Sequence, residues 1–151
     1  MDKAKKCRKP ALSIDQLENL LRTEFPQVFN AASGLSIEEI WHGGARVRQA
    51  YQQAFIRPGG TISGPTMMAL TDFAMYVAVL TAVGAAPLAV TTNLTINFLR
   101  KPGAADLLAE AKLLKLGKRL AVGEVGIRSA ARPELVAHAT STYSIPHPQD
   151  V

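Results

Sequence analysis

Apolar residues follow two rhythms along this chain. Leu12, Leu17, Leu20, Leu21 and Phe25 recur at the spacing of one helix face. Ser13 and Gln16 have capping-box spacing and Pro26 closes the segment, so residues 12–25 are predicted to form an amphipathic helix laid on the domain. Asn30 to Gly34 reads as a turn. From Glu38 to Phe55 the rhythm becomes that of a strand: Ala45, Val47, Gln49 and Tyr51 alternate with Arg46, Arg48 and Ala50, and Gly43–Gly44 marks a bulge or break. Leu88 to Leu99 alternates again, with Leu88, Val90, Thr92, Leu94, Ile96 and Phe98 on one face. Asp106 to Lys115, Arg119 to Arg128 and Glu134 to Ile145 are three further strands. A tight turn at Leu116–Gly117–Lys118 and a longer one at Ser129–Pro133 join them, and this register sets Lys112 opposite Glu124.

Between Arg57 and Arg100, ahead of the strand that begins at Leu88, lies a run that fits neither rhythm. Asp72 is the one charged side chain between the two arginines, set in the most apolar run of the protein. Pro65 suits a first helical turn, with Ser63 or Gly64 as N-cap, and Gly84 followed by Pro87 forms a stop. The implied helix has about 19 residues and is ~28 Å long. Met68, Ala69, Met75, Tyr76 and Val79 share the face of Asp72, and the other faces are equally apolar. Such a helix is wrapped by protein or crosses a membrane. Thr81, Gly84 and Pro87 interrupt the run, and the antiparallel strands that follow can cover it, which favours a buried central helix. A carboxylate in that setting is costly unless paired, hydrogen-bonded or protonated, which makes Asp72 the leading candidate for chemistry.

With 151 residues the chain is long enough for one domain with a real core. The net charge of +5 is concentrated at the start. Residues 1–10 hold Lys3, Lys5, Lys6, Arg8 and Lys9 against Asp2, a net +4 that leaves +1 for everything after them. We expect a disordered basic tail over 1–10, one domain over 11–151 and no nucleic-acid-binding face. No apolar stretch follows the tail as in a secretory signal. The single cysteine, Cys7, permits no intrachain disulfide, and a cytoplasmic location is the expectation. No metal-ligand spacing or Gly-rich phosphate loop is present, so no cofactor is implied. His42, His138 and His147 read as surface or strand residues.

Three blocks then stand in order: Gly60-x-x-Ser63-Gly64 leading to Leu70-x-Asp72; Asn93-Leu94-x-Ile96-x-Phe98-Leu99-Arg100; and Gly117-Lys118-Arg119-Leu120-Ala121. Together, over about Ala45 to Ile145, they resemble the hotdog-fold acyl-CoA thioesterases of the phenylacetate-pathway type. The resemblance implies an α+β hotdog fold, a curved antiparallel sheet wrapped round a long helix, here with an extra N-terminal helix. It implies hydrolysis of an acyl-CoA to free acid and CoA. In that reading Asp72 is general base or nucleophile, the Gly64 N–H at the helix N-terminus is the oxyanion donor, and Ser63 and Thr91 assist. Arg57, Pro65, Met68, Asn93, Arg100, Gly117, Lys118 and Arg119 fall at substrate-binding positions.

Eight residues of helix separate Gly64 from Asp72, ~12 Å along the axis. One carbonyl cannot touch both in a single chain. A shared site between two subunits follows, in a homodimer that the resemblance extends to a dimer of dimers. Two departures stand out, for many relatives carry His where this chain has Ser63 and Asn where it has Arg57. They motivate the alternative of a non-catalytic hotdog acyl-CoA-binding protein. A hotdog dehydratase needs a His beside its acid, and His42 precedes the helix by a wide margin. A membrane-anchored interaction protein is a further rival, tested by detergent-free solubility.

Overall fold

A computed structural model describes residues 8–147 and Gln149. Cys7 and most of the predicted basic tail lie outside the described residues. Helix α1 spans Ile14–Glu24 and opens on the expected capping box: the Gln16 N–H donates to Ser13 Oγ at 3.2 Å, and the Ser13 N–H donates to Gln16 Oε1 at 2.9 Å. Its Leu17 and Leu21 are buried.

Strands β1 (Leu35–Trp41) and β2 (Gly44–Gln49) pair antiparallel. This corrects the expectation of one strand over 38–55 broken at Gly43–Gly44. His42 and Gly43 form a hairpin turn, with Gly43 at φ 78°, a left-handed backbone that suits glycine. Alternation reads the same on both arms of a hairpin, so the reversal was invisible in the pattern. Past Gln49 the chain leaves the sheet; the Tyr51 N–H donates to Asp106 Oδ1 at 2.8 Å. Two short strands follow, β3 (Ile56–Arg57) and β4 (Thr61–Ile62), paired only with each other.

Helix α2 runs Gly64–Val83, from the Ser63 N-cap to Gly84 at φ 88°, whose N–H returns to Leu80 O at 2.9 Å. It is long and apolar enough to cross a membrane, yet 67% of its apolar window is buried within the fold. Its two fully buried hydroxyls are both satisfied. Thr71 Oγ1 donates to Met67 O (2.8 Å); Thr81 Oγ1 donates to Ala78 O (2.6 Å) and accepts from the Gly43 N–H (2.9 Å).

The remaining strands are β5 (Val90–Phe98), β6 (Leu107–Leu116), β7 (Leu120–Ser129) and β8 (Leu135–Ser144). They join the first hairpin in a six-stranded sheet of order β1-β2-β6-β7-β8-β5, antiparallel throughout. Its concave face buries α2 through small residues, among them Ala45, Ala109, Ala111, Ala121 and Ala137. Small side chains let the helix approach closely: a Cβ on Gly123 would sit 2.7 Å from Met75 Sδ and 2.8 Å from Lys112 O. On the other face Lys112 meets Glu124 at 3.1 Å in the predicted register, and Glu124 also meets His138 at 3.1 Å.

Strand β5 departs from its simple alternation. Its ladder with β8 pairs Thr91 with Tyr143 and then Asn93 with Thr142, so Thr92 is an extra, bulged residue. The bulge shifts the phase by one. Ala89 and Thr91 face the helix before it, Leu94 and Ile96 after it, while Leu88, Val90 and Thr92 are exposed. The expected apolar face of Leu88, Val90 and Thr92 is therefore an outer one.

Candidate active site

Asp72 is in the third turn of α2, half-buried rather than enclosed. Two hydroxyls meet its carboxylate. Thr91 Oγ1 donates to Oδ1 at 2.5 Å, brought there by the bulge. The Tyr143 hydroxyl lies 2.9 Å from the same Oδ1 and 3.0 Å from the Asp72 carbonyl oxygen. Oδ2 has no hydrogen-bond partner among the described residues. Two donors on one oxygen fix the plane of the carboxylate and leave the second oxygen available.

Tyr143 escaped the sequence reading. Its signal was the parity of β8, where Ala137, Ala139, Ser141 and Tyr143 all point at the helix. Its phenol is pushed up from the ordinary value, first by burial and then by the neighbouring Asp72 charge. It therefore remains an O–H donor throughout the physiological range. Its ring stacks on Tyr76 (centroids 6.1 Å apart), which meets Phe25 edge-on at 6.0 Å. The Tyr76 hydroxyl donates to Pro87 O at 2.8 Å, and burial raises this phenol also.

Beside Asp72 opens a cavity of about 300 Å³ with mostly apolar walls. Phe73 and Tyr76 come from α2, Ala89 and Thr91 from the approach to β5 and its second residue, and Phe25 and Val28 from the C-cap of α1 and the turn after it.

The other predicted residues lie elsewhere in the chain. Gly64 is at the N-terminus of α2, where a Cβ would come within 3.2 Å of Phe98 Cζ. Its N–H has no partner among the described residues, because the Ser63 hydroxyl caps Thr66 instead (3.4 Å from the Thr66 nitrogen, 2.8 Å from its Oγ1). Pro65 and Met68 are exposed on the first turns of α2, and Arg57 is exposed on β3. Asn93 is exposed just past the bulge. Arg100 donates to Leu135 O at 2.6 Å and borders a separate cavity of about 610 Å³ with Lys101 and Arg132. Gly117, Lys118 and Arg119 form the exposed tip of the β6–β7 hairpin. One chain thus unites Asp72 with Thr91 and keeps Gly64, Arg57, Arg100 and the hairpin tip outside the cavity lining. His42 lies in the β1–β2 turn and His138 pairs with Glu124, away from that cavity. Among the described residues no cluster of three or more His, Cys, Asp or Glu side chains is placed to hold a metal.

A family model described as the thioesterase superfamily matches residues 59–136. A candidate thioesterase of known structure from Silicibacter sp. TM1040 is 41% identical, with a TM-score of 0.83 over 94% of this chain and 97% of that one. A variant of the phenylacetic acid degradation protein PaaI from Thermus thermophilus is 29% identical, with a TM-score of 0.67 over 75% of this chain and 94% of that one. A candidate esterase of Saccharolobus solfataricus is 28% identical across 136 residues, 90% of this chain and 87% of its own.

Proposed function

Because this chain belongs to the thioesterase superfamily, we propose that it hydrolyses an acyl-CoA thioester with Asp72 as general base. The observation that carries this reading is the Asp72 carboxylate, its Oδ1 held by Thr91 and Tyr143 and its Oδ2 free beside an apolar cavity. A positioned base with an unoccupied oxygen suits the activation of water. Oδ2 takes a proton from water as the water oxygen bonds to the thioester carbon. The carbonyl electrons move onto oxygen. When the tetrahedral intermediate collapses, the C–S bond breaks and the proton on Asp72 passes to the departing CoA sulfur.

The developing oxyanion needs donors, and the Gly64 N–H at the positive end of α2 is a suitable one. The ~12 Å between Gly64 and Asp72 along the axis supports a site that draws the two from different chains. The edge position of β5 supports that assembly. This nine-residue edge strand has one side unpaired in the sheet and exposed Val90 and Phe98 at its two ends, and an edge of that length invites pairing with a second copy. In the shared site Arg100, Lys118 and Arg119 supply cations for the CoA phosphates, Arg57 a donor for an acyl or phosphate oxygen, and Pro65, Met68 and Asn93 the walls around the thioester.

Thiol release from a panel of acyl-CoAs, with wild type and Asp72→Asn side by side, tests the proposal. Wild type should turn over at least one substrate, and the variant should lose about two orders of magnitude or more. Equal activity in the variant would sink the assignment of Asp72. A wild type that binds acyl-CoAs without turnover would establish the non-catalytic binder instead, an outcome consistent with Ser63 being occupied as a helix cap.

A further inference from the structure

The cavity beside Asp72 has one wall that the central helix and sheet do not supply. Phe25, Val28 and Glu24 at its border all come from the end of α1 and the turn after it. This wall is fixed. Leu17 and Leu21 anchor α1 in the core, and the Phe25 N–H closes the helix on Leu21 O at 2.8 Å. The Phe25 ring is held edge-on against Tyr76, and the next aromatic residue, Phe29, stacks on Phe73 with centroids 5.8 Å apart. From the carboxylate outward the contacts run Asp72, Tyr143, Tyr76, Phe25, so Phe25 stands across the cavity's aromatic side from the reacting group.

We propose that the end of α1 is the gauge of acyl size in this protein, with Phe25 and Val28 closing the slot that receives the acyl chain and Glu24 turning away acyl groups that end in a second carboxylate. The inference rests on the thioesterase reading and names the substrate class for that same site. Size comes from the volume. An apolar cavity of about 150 Å³ takes benzene. The 300 Å³ here is twice that, room for a chain of roughly eight to ten carbons within the walls, so that one of sixteen would have to extend beyond them. Charge comes from the lining. Its two charged side chains are the carboxylates of Asp72 and Glu24, with no Lys, Arg or His among them. A second carboxylate on the acyl group would enter with no counter-charge, while an uncharged chain meets Phe25, Val28, Phe73 and Tyr76.

The test is the chain-length profile of kcat/KM over saturated acyl-CoAs from acetyl to palmitoyl, with succinyl- and glutaryl-CoA added. Wild type, Phe25→Ala and Val28→Phe are compared. Wild type should peak at medium length and fall about tenfold or more by palmitoyl; the dicarboxylic esters should lie about tenfold or more below butyryl. Phe25→Ala should move the peak to longer chains and Val28→Phe to shorter ones. Opposite displacements cannot come from a general loss of folding. Stationary peaks in both variants, or a wild type that favours palmitoyl or succinyl esters, would overturn the proposal.

Binding of the same panel to Asp72→Asn by calorimetry separates this inference from the reading beneath it. A length profile in binding that follows the two α1 variants, without turnover by wild type, retains the gauge and removes the hydrolase. Asp72-dependent turnover with an unmoved profile does the reverse.

Discussion

At the scale of single residues the proposed chemistry is concentrated where α2, β5 and β8 meet. Thr91 and Tyr143 both donate to Asp72 Oδ1, and the two are register partners across the β5–β8 ladder. Tyr143→Phe removes one donor and leaves the ring. A hydrogen bond to a charged group contributes about 1.5–3 kcal/mol, so a fall in kcat of about ten- to a hundredfold is expected, smaller than for Asp72→Asn. Steady-state kinetics of the two variants checks the order. The same phenol links stability to alkaline pH. Its folded-state pKa is raised, by burial first and Asp72 next, so the neutral form is favoured in the native protein. Its contribution is intact below the ordinary phenol value near ~10 and is lost progressively as pH rises from there toward the folded value. Urea unfolding above pH ~10 should show stability falling with pH, less steeply in Tyr143→Phe. Asp72 was legible in the sequence as a lone carboxylate in an apolar run. Thr91 came only through the family pattern, since parity alone pointed to Thr92. The parity of β8 marks Tyr143 as a helix-facing residue, but its place beside Asp72 follows only from the pairing of β8 with β5.

At the scale of elements, helices were more legible than strand ends. The capping box, Pro65 and Gly84 are local devices, and each acts where it stands in the chain. The β1–β2 hairpin and the β5 bulge depend on a partner strand, and neither leaves a mark in a period-two pattern. What the pattern also hides is how closely α2 approaches the sheet. Gly123 reads as an ordinary strand glycine, yet Met75 and the Lys112 carbonyl occupy the space a side chain would need. Gly123→Ala should cost about 1–3 kcal/mol through overpacking, measured as a lower urea midpoint. An unchanged midpoint would mean that Met75 swings aside without loss.

At the scale of the molecule, the separation of Gly64 from Asp72 and the uncovered edge of β5 lead to one expectation. The protein should elute with at least twice the 16.2 kDa mass of one chain, and its specific activity should fall on dilution below the dissociation constant. Light scattering coupled to gel filtration, with assays over a dilution series, tests both; an active monomer would refute the two-chain site. Sequence spacing along α2 was enough to raise this question, because a helix converts residue number into distance with little ambiguity.

A strand with a bulge has no such fixed conversion. Along β5 and the residue before it the inward positions are Ala89 and Thr91, then Leu94 and Ile96. Deleting Thr92 would leave Ala89, Thr91, Leu94 and Ile96 in simple alternation on the same face. Chain length at this point can therefore vary by one residue while Thr91 continues to address the carboxylate and the aliphatic pair continues to cover the helix. Related chains are best aligned here by their inward face, with the gap placed at the bulge, rather than by a constant count from the aspartate.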